Sequence, residues 1–363
     1  MRLRVLSPVH VGDGGRISRW EYVPKNGFVD VLSPEILIET LYSRIVHRDR
    51  LRNALLDLRN RIREGRGSVE DFIRDYNLQV EPVYRVRSEG RPVGEIWTVV
   101  KNPEGVYIPG TEIKGAIRTA FIYYALFKDL EKSQKRSLFV DLLRKVRQAD
   151  SRREVEALHS WIEGRVLYPE DMGRRDPKYD LFKAFAVSDT ETRPHEEVLE
   201  VRRVKLHGSS RRVEEFHELV REGSEFRFEL GIEESVLKGL REEGKSWRFL
   251  DFMNLEFLKE SCMKFYRDLL VEEITYFRRN NLREAEMFSE DLLKRIEEGS
   301  WLIRIGKHQG FLSTTVTLLI KRASKEIFAE LYEKAVPRHS AEKPKTRWVD
   351  GRGIPLGWAE VLP

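Results

Sequence analysis

The segment Val106-Tyr107-Ile108-Pro109-Gly110-Thr111-Glu112-Ile113-Lys114-Gly115-Ala116-Ile117-Arg118 leaves the backbone few choices. A strand must end at Pro109-Gly110, because proline has no N–H for the ladder and glycine weakens it further. Thr111 is placed to cap a helix, and apolar residues at helical spacing carry that helix on through Tyr124 and Leu126. Lys114 and Arg118 stand at i, i+4 and so project from one face of its first turns.

Around this junction the chain alternates strands and helices. The first strand carries Leu3, Val5, Val9 and Val11 and is expected to break at Gly12-Asp13-Gly14-Gly15, whose glycines permit positive φ and close approach of amides to an anion. A short strand is expected over 27–32. Pro34 opens one long helix with Ile36, Leu41, Ile45, Leu51, Leu55, Leu58 and Ile62 at helical spacing, stopped by Gly65 and Gly67. A short helix starts at Ser68. Residues 80–87 and 95–101 read as a hairpin joined by Ser88-Glu89-Gly90-Arg91-Pro92.

Further helices are expected over 134–149, 152–164, 247–277 and 282–298, and strands over 181–188, 200–206, 225–232 and 301–305. Residues 313–320 read as strand or helix, and 335–352 as a basic loop. His207-Gly208-Ser209-Ser210 is the expected break. It separates domain 1–207, with a helical insertion at 34–75, from a helix-rich domain 208–363 carrying the loop Gly306-Lys307-His308-Gln309-Gly310. The pattern is α+β, and each half fits a β-α-β-β-α-β unit.

A chain of 363 residues is long enough for two packed units, and 40% apolar residues can fill their cores. No apolar run approaches the roughly 20 residues of a membrane span. The N-terminus lacks the apolar core and cleavage site of a signal peptide. One cysteine, Cys262, excludes an internal disulfide framework and a multi-thiolate zinc site, and its neighbours Phe257, Leu258, Met263 and Phe265 place it in a core. The reading is a soluble cytoplasmic protein with no membrane partner.

Net charge is only +5, although charged residues make up 34% of the chain, above the roughly 25% of ordinary globular proteins. Distribution says more than total. Between positions 44 and 66 lie eight arginines against three carboxylates, and 334–352 holds six basic residues against two acidic ones. Concentrated arginine suits bidentate phosphate contacts, while a solvated face is the plainer explanation.

Gly12–Gly15 and Gly306–Gly310 both follow apolar strands, where glycine-rich turns cradle phosphates, and Lys307 and His308 would add charge. Neither matches a nucleotide-binding pattern, so no cofactor is expected. Lys114 and Arg118 near a helix N-terminus also favour anions. His10 is a candidate general acid or base, with a phosphate contact or a structural role favoured over it. Glu272-Glu273 and Glu297-Glu298 read as solvated helix faces and poor metal pairs, so no metal is expected, and Ser188-Asp189 reads as a turn.

These junctions carry a resemblance. Leu6-Ser7-Pro8-Val9-His10-Val11-Gly12, Ile108 to Arg118, Phe185-Ala186-Val187-Ser188-Asp189-Thr190 and Ile303-Arg304-Ile305-Gly306-Lys307-His308-Gln309-Gly310-Phe311 resemble, in order, four motifs of the RAMP proteins of CRISPR systems. They span most of the chain, and the Pro-Gly-x-x-x-Lys-Gly segment is the most specific. Length, the helical insertion and the Pro-Leu-Gly-Trp segment ending at Trp358 look most like the fifth subunit of type III-A (Csm) effector complexes.

The resemblance implies two ferredoxin-like (RRM-like) RAMP units with large helical insertions. It further implies a non-catalytic subunit capping the far end of the complex, near the crRNA 3′ end and assisting crRNA maturation. The implied partners are crRNA, the neighbouring backbone subunit, the small subunit and crRNA-trimming nucleases. Carried over by position, Lys114 and Arg118 hold the RNA backbone, and Gly12, Gly306 and Gly310 let phosphates approach, with His10, Lys307 and His308 alongside. The last loop departs from the family in reading Gly306-x-x-x-Gly310 rather than a tighter G-x-G. The alternatives are a metal-independent endoribonuclease using His10 and a protein-only scaffold gripping its neighbour through the arginine-rich helix.

Overall fold

In the computed structural model of the protein, all residues are described except 133–136, 171, 173–174, 210–211, 314–316, 336–343 and 345. The start of the helix expected over 134–149, residues 314–316 of the segment 313–320 and half of the loop 335–352 therefore lie outside the described residues.

The two ends of the chain meet in one sheet. Arg2–Val5 lies between Glu225–Arg227 and Trp358–Leu362, and Trp301–Arg304 completes four antiparallel strands. The larger sheet runs in the order Gly12–Ile17, Ile96–Val99, Glu214–Val220, Leu199–His207, Tyr84–Ser88, Phe28–Val31 and Tyr22–Lys25, with Arg347–Asp350 also paired to Leu199–His207. Leu199–His207 and Glu214–Val220 form one hairpin, so the sheet runs through the boundary expected at 207.

Against the first sheet pack the helices Gly110–Lys132 and Leu255–Arg279, whose Phe121, Tyr123, Cys262, Phe265 and Tyr266 join Leu3, Val5, Leu302 and Ile303 in one core. Cys262 is fully buried there, and burial pushes its thiol up to about 12. The insertion keeps a small core of its own, built on Leu37, Leu41, Ala54, Leu58, Val69 and Phe72. Mixed sheets with helical insertions make the fold α+β, as expected.

Several local expectations give way to longer-range pairing. The expected first strand ends at Val5, and the Gly12–Gly15 turn is instead the start of strand Gly12–Ile17, whose register shift opposite Ile96–Val99 absorbs the glycines. The two strands expected as a hairpin around Ser88–Pro92 do not pair, because Leu199–His207 and Glu214–Val220 lie between them in the sheet.

The long helix from Pro34 is broken into Pro34–Arg44 and Arg48–Glu64 at the β-branched pair Ile45-Val46, and Val46 is 90% exposed. Its far end matches expectation, with Gly65 left-handed at φ 66°. The strand expected over 225–232 changes partner midway, Glu225–Arg227 joining the first strand and Leu230–Ile232 joining Phe185–Val187.

Candidate nucleic-acid interface

The four sequence motifs are one connected junction. Asp189 Oδ1 accepts from Gly110 N at 2.8 Å, and Thr190 Oγ1 accepts from Ile108 N at 2.9 Å. Asp189, rather than Thr111, therefore satisfies the first amide of Gly110–Lys132. Gly110 is required here, since a Cβ would lie 2.5 Å from the Ser188 carbonyl oxygen. From the same helix Glu112 Oε2 accepts from Gly306 N at 3.0 Å, which ties the helix start to the late loop.

That loop is in turn laid on the first motif. Lys307 N donates to the His10 carbonyl at 2.7 Å. Gly306 has φ +79°, and a Cβ there would stand 2.5 Å from the same oxygen. Gly12 leaves room for the His10 ring, because its own Cβ would fall 2.9 Å from His10 Nε2. Motif residues widely separated in the chain are thus joined by hydrogen bonds and by glycines that allow close backbone approach.

His10 sits inside this junction with 1% of its surface exposed. Its Nδ1 lies 2.8 Å from the Glu218 carbonyl, which only accepts, so Nδ1 carries the proton. Desolvation by burial lowers its pKa to about 4. His308 is lowered to about 3, again chiefly by burial, with Lys307 adding to the shift. Both rings are neutral at pH 7, so His308 does not add the charge that the sequence reading gives it.

The charge is carried by Lys307, which is exposed and holds its Nζ 3.8 Å from the centre of the Trp97 ring. Arg16 lies against the same ring at 3.9 Å. Strand register explains the grouping, since Arg16, Trp97 and His217 are paired side by side across three neighbouring strands. An aromatic platform flanked by two cations suits bases and phosphates together.

In the Gly12–Gly15 segment the amide of Gly15 is already occupied. Asp13 Oδ1 accepts from Gly15 N at 2.7 Å and from Thr98 Oγ1 at 2.5 Å, filling the glycine-rich segment with the protein's own carboxylate. Arg118 is engaged as well, at 3.0 Å from Asp180 and 3.3 Å from Glu163. Lys114 is half-buried near Asp180, and burial lowers its pKa. Of the eight expected site residues, His10, Gly12, Gly306, Lys307, His308 and Gly310 gather at one junction, while Lys114 and Arg118 share a neighbouring carboxylate cluster.

Sequence reasoning missed Arg16, Trp97, His217 and Trp348, whose ring lies 4.1 Å from that of His308. Only Trp97 left a local signal, as an aromatic alternating with buried Ile96 and Thr98 along its strand. The others are brought in by strand pairing between distant segments.

The chain belongs to the RAMP superfamily, whose model matches residues 2–307. Its fold of ferredoxin-like units with helical insertions is that of a solved Csm5 from T. onnurineus, at 21% identity over 99% of this chain and 100% of that one, with a TM-score of 0.75. It is equally similar to a chain in the cryo-EM structure of a Csm–crRNA–target RNA ternary complex of a type III-A CRISPR-Cas system, at 22% identity over 99% of both chains and a TM-score of 0.76. No curated protein matches.

Proposed function

We propose that the protein is a crRNA-binding, non-catalytic subunit of a type III-A CRISPR effector complex. In this reading it caps the complex toward the crRNA 3′ end, beside the last backbone subunit, and assists crRNA maturation in antiviral defence. The observation that carries the reading is the Arg16–Trp97–Lys307 platform on a RAMP fold. The similarity to a chain of a Csm–crRNA complex supports it.

Lys307 contacts the RNA backbone, while Gly12, Gly306 and Gly310 shape the junction and His10 and His308 hold it together. Lys114 extends the track, and Arg118 orients the helix through Asp180. The small subunit and trimming nucleases are further partners.

Burial of His10 argues against the endoribonuclease, since a general acid or base must reach its substrate. One observation favours an added scaffold role. Arg48, Arg50, Arg52, Arg59 and Arg63 on Arg48–Glu64 are exposed, and none forms an ion pair among the described residues.

Labelled guide RNA titrated with the protein tests the function. Affinity should fall roughly tenfold or more as salt rises from about 50 to 200 mM, with the RNA left intact. Specific cleavage abolished by His10→Ala would install the nuclease instead. Absence of binding both to free RNA and within a reconstituted complex would leave the scaffold.

A further inference from the structure

Beneath the Trp97 platform three side chains from two distant segments converge. Glu215 and His217 are two residues apart on Glu214–Val220 and so share a face of the sheet. His308 reaches them from the late loop. One donor atom from each lies within 4.8 Å of the other two. Glu215 Oε2 is already 3.0 Å from His217 Nε2.

The hydrogen bonding here is incomplete. His217 is fully buried, yet its Nδ1 has no partner among the described residues. Nε2 of His308 is likewise buried and without one. Buried polar atoms are nearly always paired, because leaving one unpaired forfeits its hydration with no return. His10 does not complete the set, since its Nδ1 is committed to the Glu218 carbonyl while its ring stands edge-on 4.6 Å from that of His217.

We propose that Glu215, His217 and His308 bind a divalent transition-metal cation of the zinc class. Two imidazoles and a carboxylate are donors that zinc takes, and three protein ligands leave a fourth position for water. Calcium and magnesium, which demand oxygen ligands, fit poorly. Donor atoms around a tetrahedral zinc stand about 3.3 Å apart, so closing the set from its present spacing takes side-chain rotation on the order of an ångström. Because His308 belongs to the loop and the other two to the sheet, the ion fastens the loop bearing Lys307 onto the platform. Sequence spacing conceals the site, for only Glu215-x-His217 is local.

The test is calorimetric titration of the chelator-stripped, full-length protein with Zn2+, repeated with Co2+ while recording visible absorption. One equivalent should bind, and cobalt should give the intense visible bands of a four-coordinate site. Glu215→Gln and His308→Ala, both at partly exposed positions, should each weaken zinc binding roughly 10-fold or more. His159→Ala, at an exposed histidine on Arg152–Leu167, should leave it unchanged. Absence of stoichiometric uptake by the folded wild-type chain, or uptake indifferent to His308→Ala, would overturn the proposal. Neither result depends on RNA binding.

Discussion

Glu273→Ala is expected to lower stability by about 3–5 kcal/mol, because it strands two buried guanidinium groups without their shared carboxylate. Glu273 sits on the inner face of Leu255–Arg279 with its side chain 2% exposed. Its Oε1 lies 2.8 Å from Arg304 Nη1 and 3.5 Å from Arg347 Nε, and those side chains are 1% and 5% exposed. Arg304 is fixed further by the Leu356 carbonyl at 2.9 Å, and burial lowers the pKa of Arg347.

The sequence reading of Glu272-Glu273 as a solvated pair is thus wrong for its second member, which the helix turns inward. Glu272 supplies the control. It pairs with Lys321 at 2.5 Å at a partly exposed position, and Glu272→Ala should cost within about 1 kcal/mol. Urea denaturation with an unchanged m-value measures both. Equal stability of the two variants would refute the buried network as a stabilising element. Arg304 ends the strand that leads into the late loop, so Glu273→Ala should also loosen that loop.

Gly306→Ala carries the second large effect. A Cβ at φ +79° adopts the left-handed region at a cost of about 1–2 kcal/mol, and at 2.5 Å from the His10 carbonyl oxygen it also forces the backbone apart. Losing the Lys307 N–His10 O bond adds about 1 kcal/mol, for a total of about 2–3 kcal/mol. The displaced loop carries Lys307 off Trp97, so guide RNA affinity should fall roughly tenfold. Gly310→Ala separates strain from contact, since φ there is +86° but nothing lies within 4 Å of a Cβ. It should cost only the strain, about 1–2 kcal/mol. Equal losses of stability and RNA binding in the two variants would show that the approach of Gly306 to His10 has no role.

What the sequence disclosed was set by how local the causes are. The helix start at Pro109-Gly110, the glycine stop at Gly65 and the short helix beginning at Ser68 depend on adjacent residues, and all are present, although the strand before Pro109 ends early, at Val106. The core position of Cys262 followed from its apolar neighbours on one helix. Strand order did not follow, because one partner each of Tyr84–Ser88 and Ile96–Val99 comes from residues more than a hundred positions away.

The site divides the same way. Motif glycines marked where segments approach closely, but the anion they seemed to await at Gly15 is the protein's own Asp13, and the cation at Arg118 already faces Asp180. His217 enters only through register.

The central claim is that guide RNA lies on the junction built around the loop 306–310, and the salt dependence of Lys307→Glu tests it most directly. Lys307 is exposed, so the variant should fold with wild-type stability. Arg118→Glu is a poor substitute, because it would press a third carboxylate onto Asp180 and Glu163. The account predicts roughly tenfold weaker guide RNA binding at low salt and a slope of log affinity against log salt shallower by about 1. Affinity and slope both equal to wild type would contradict it.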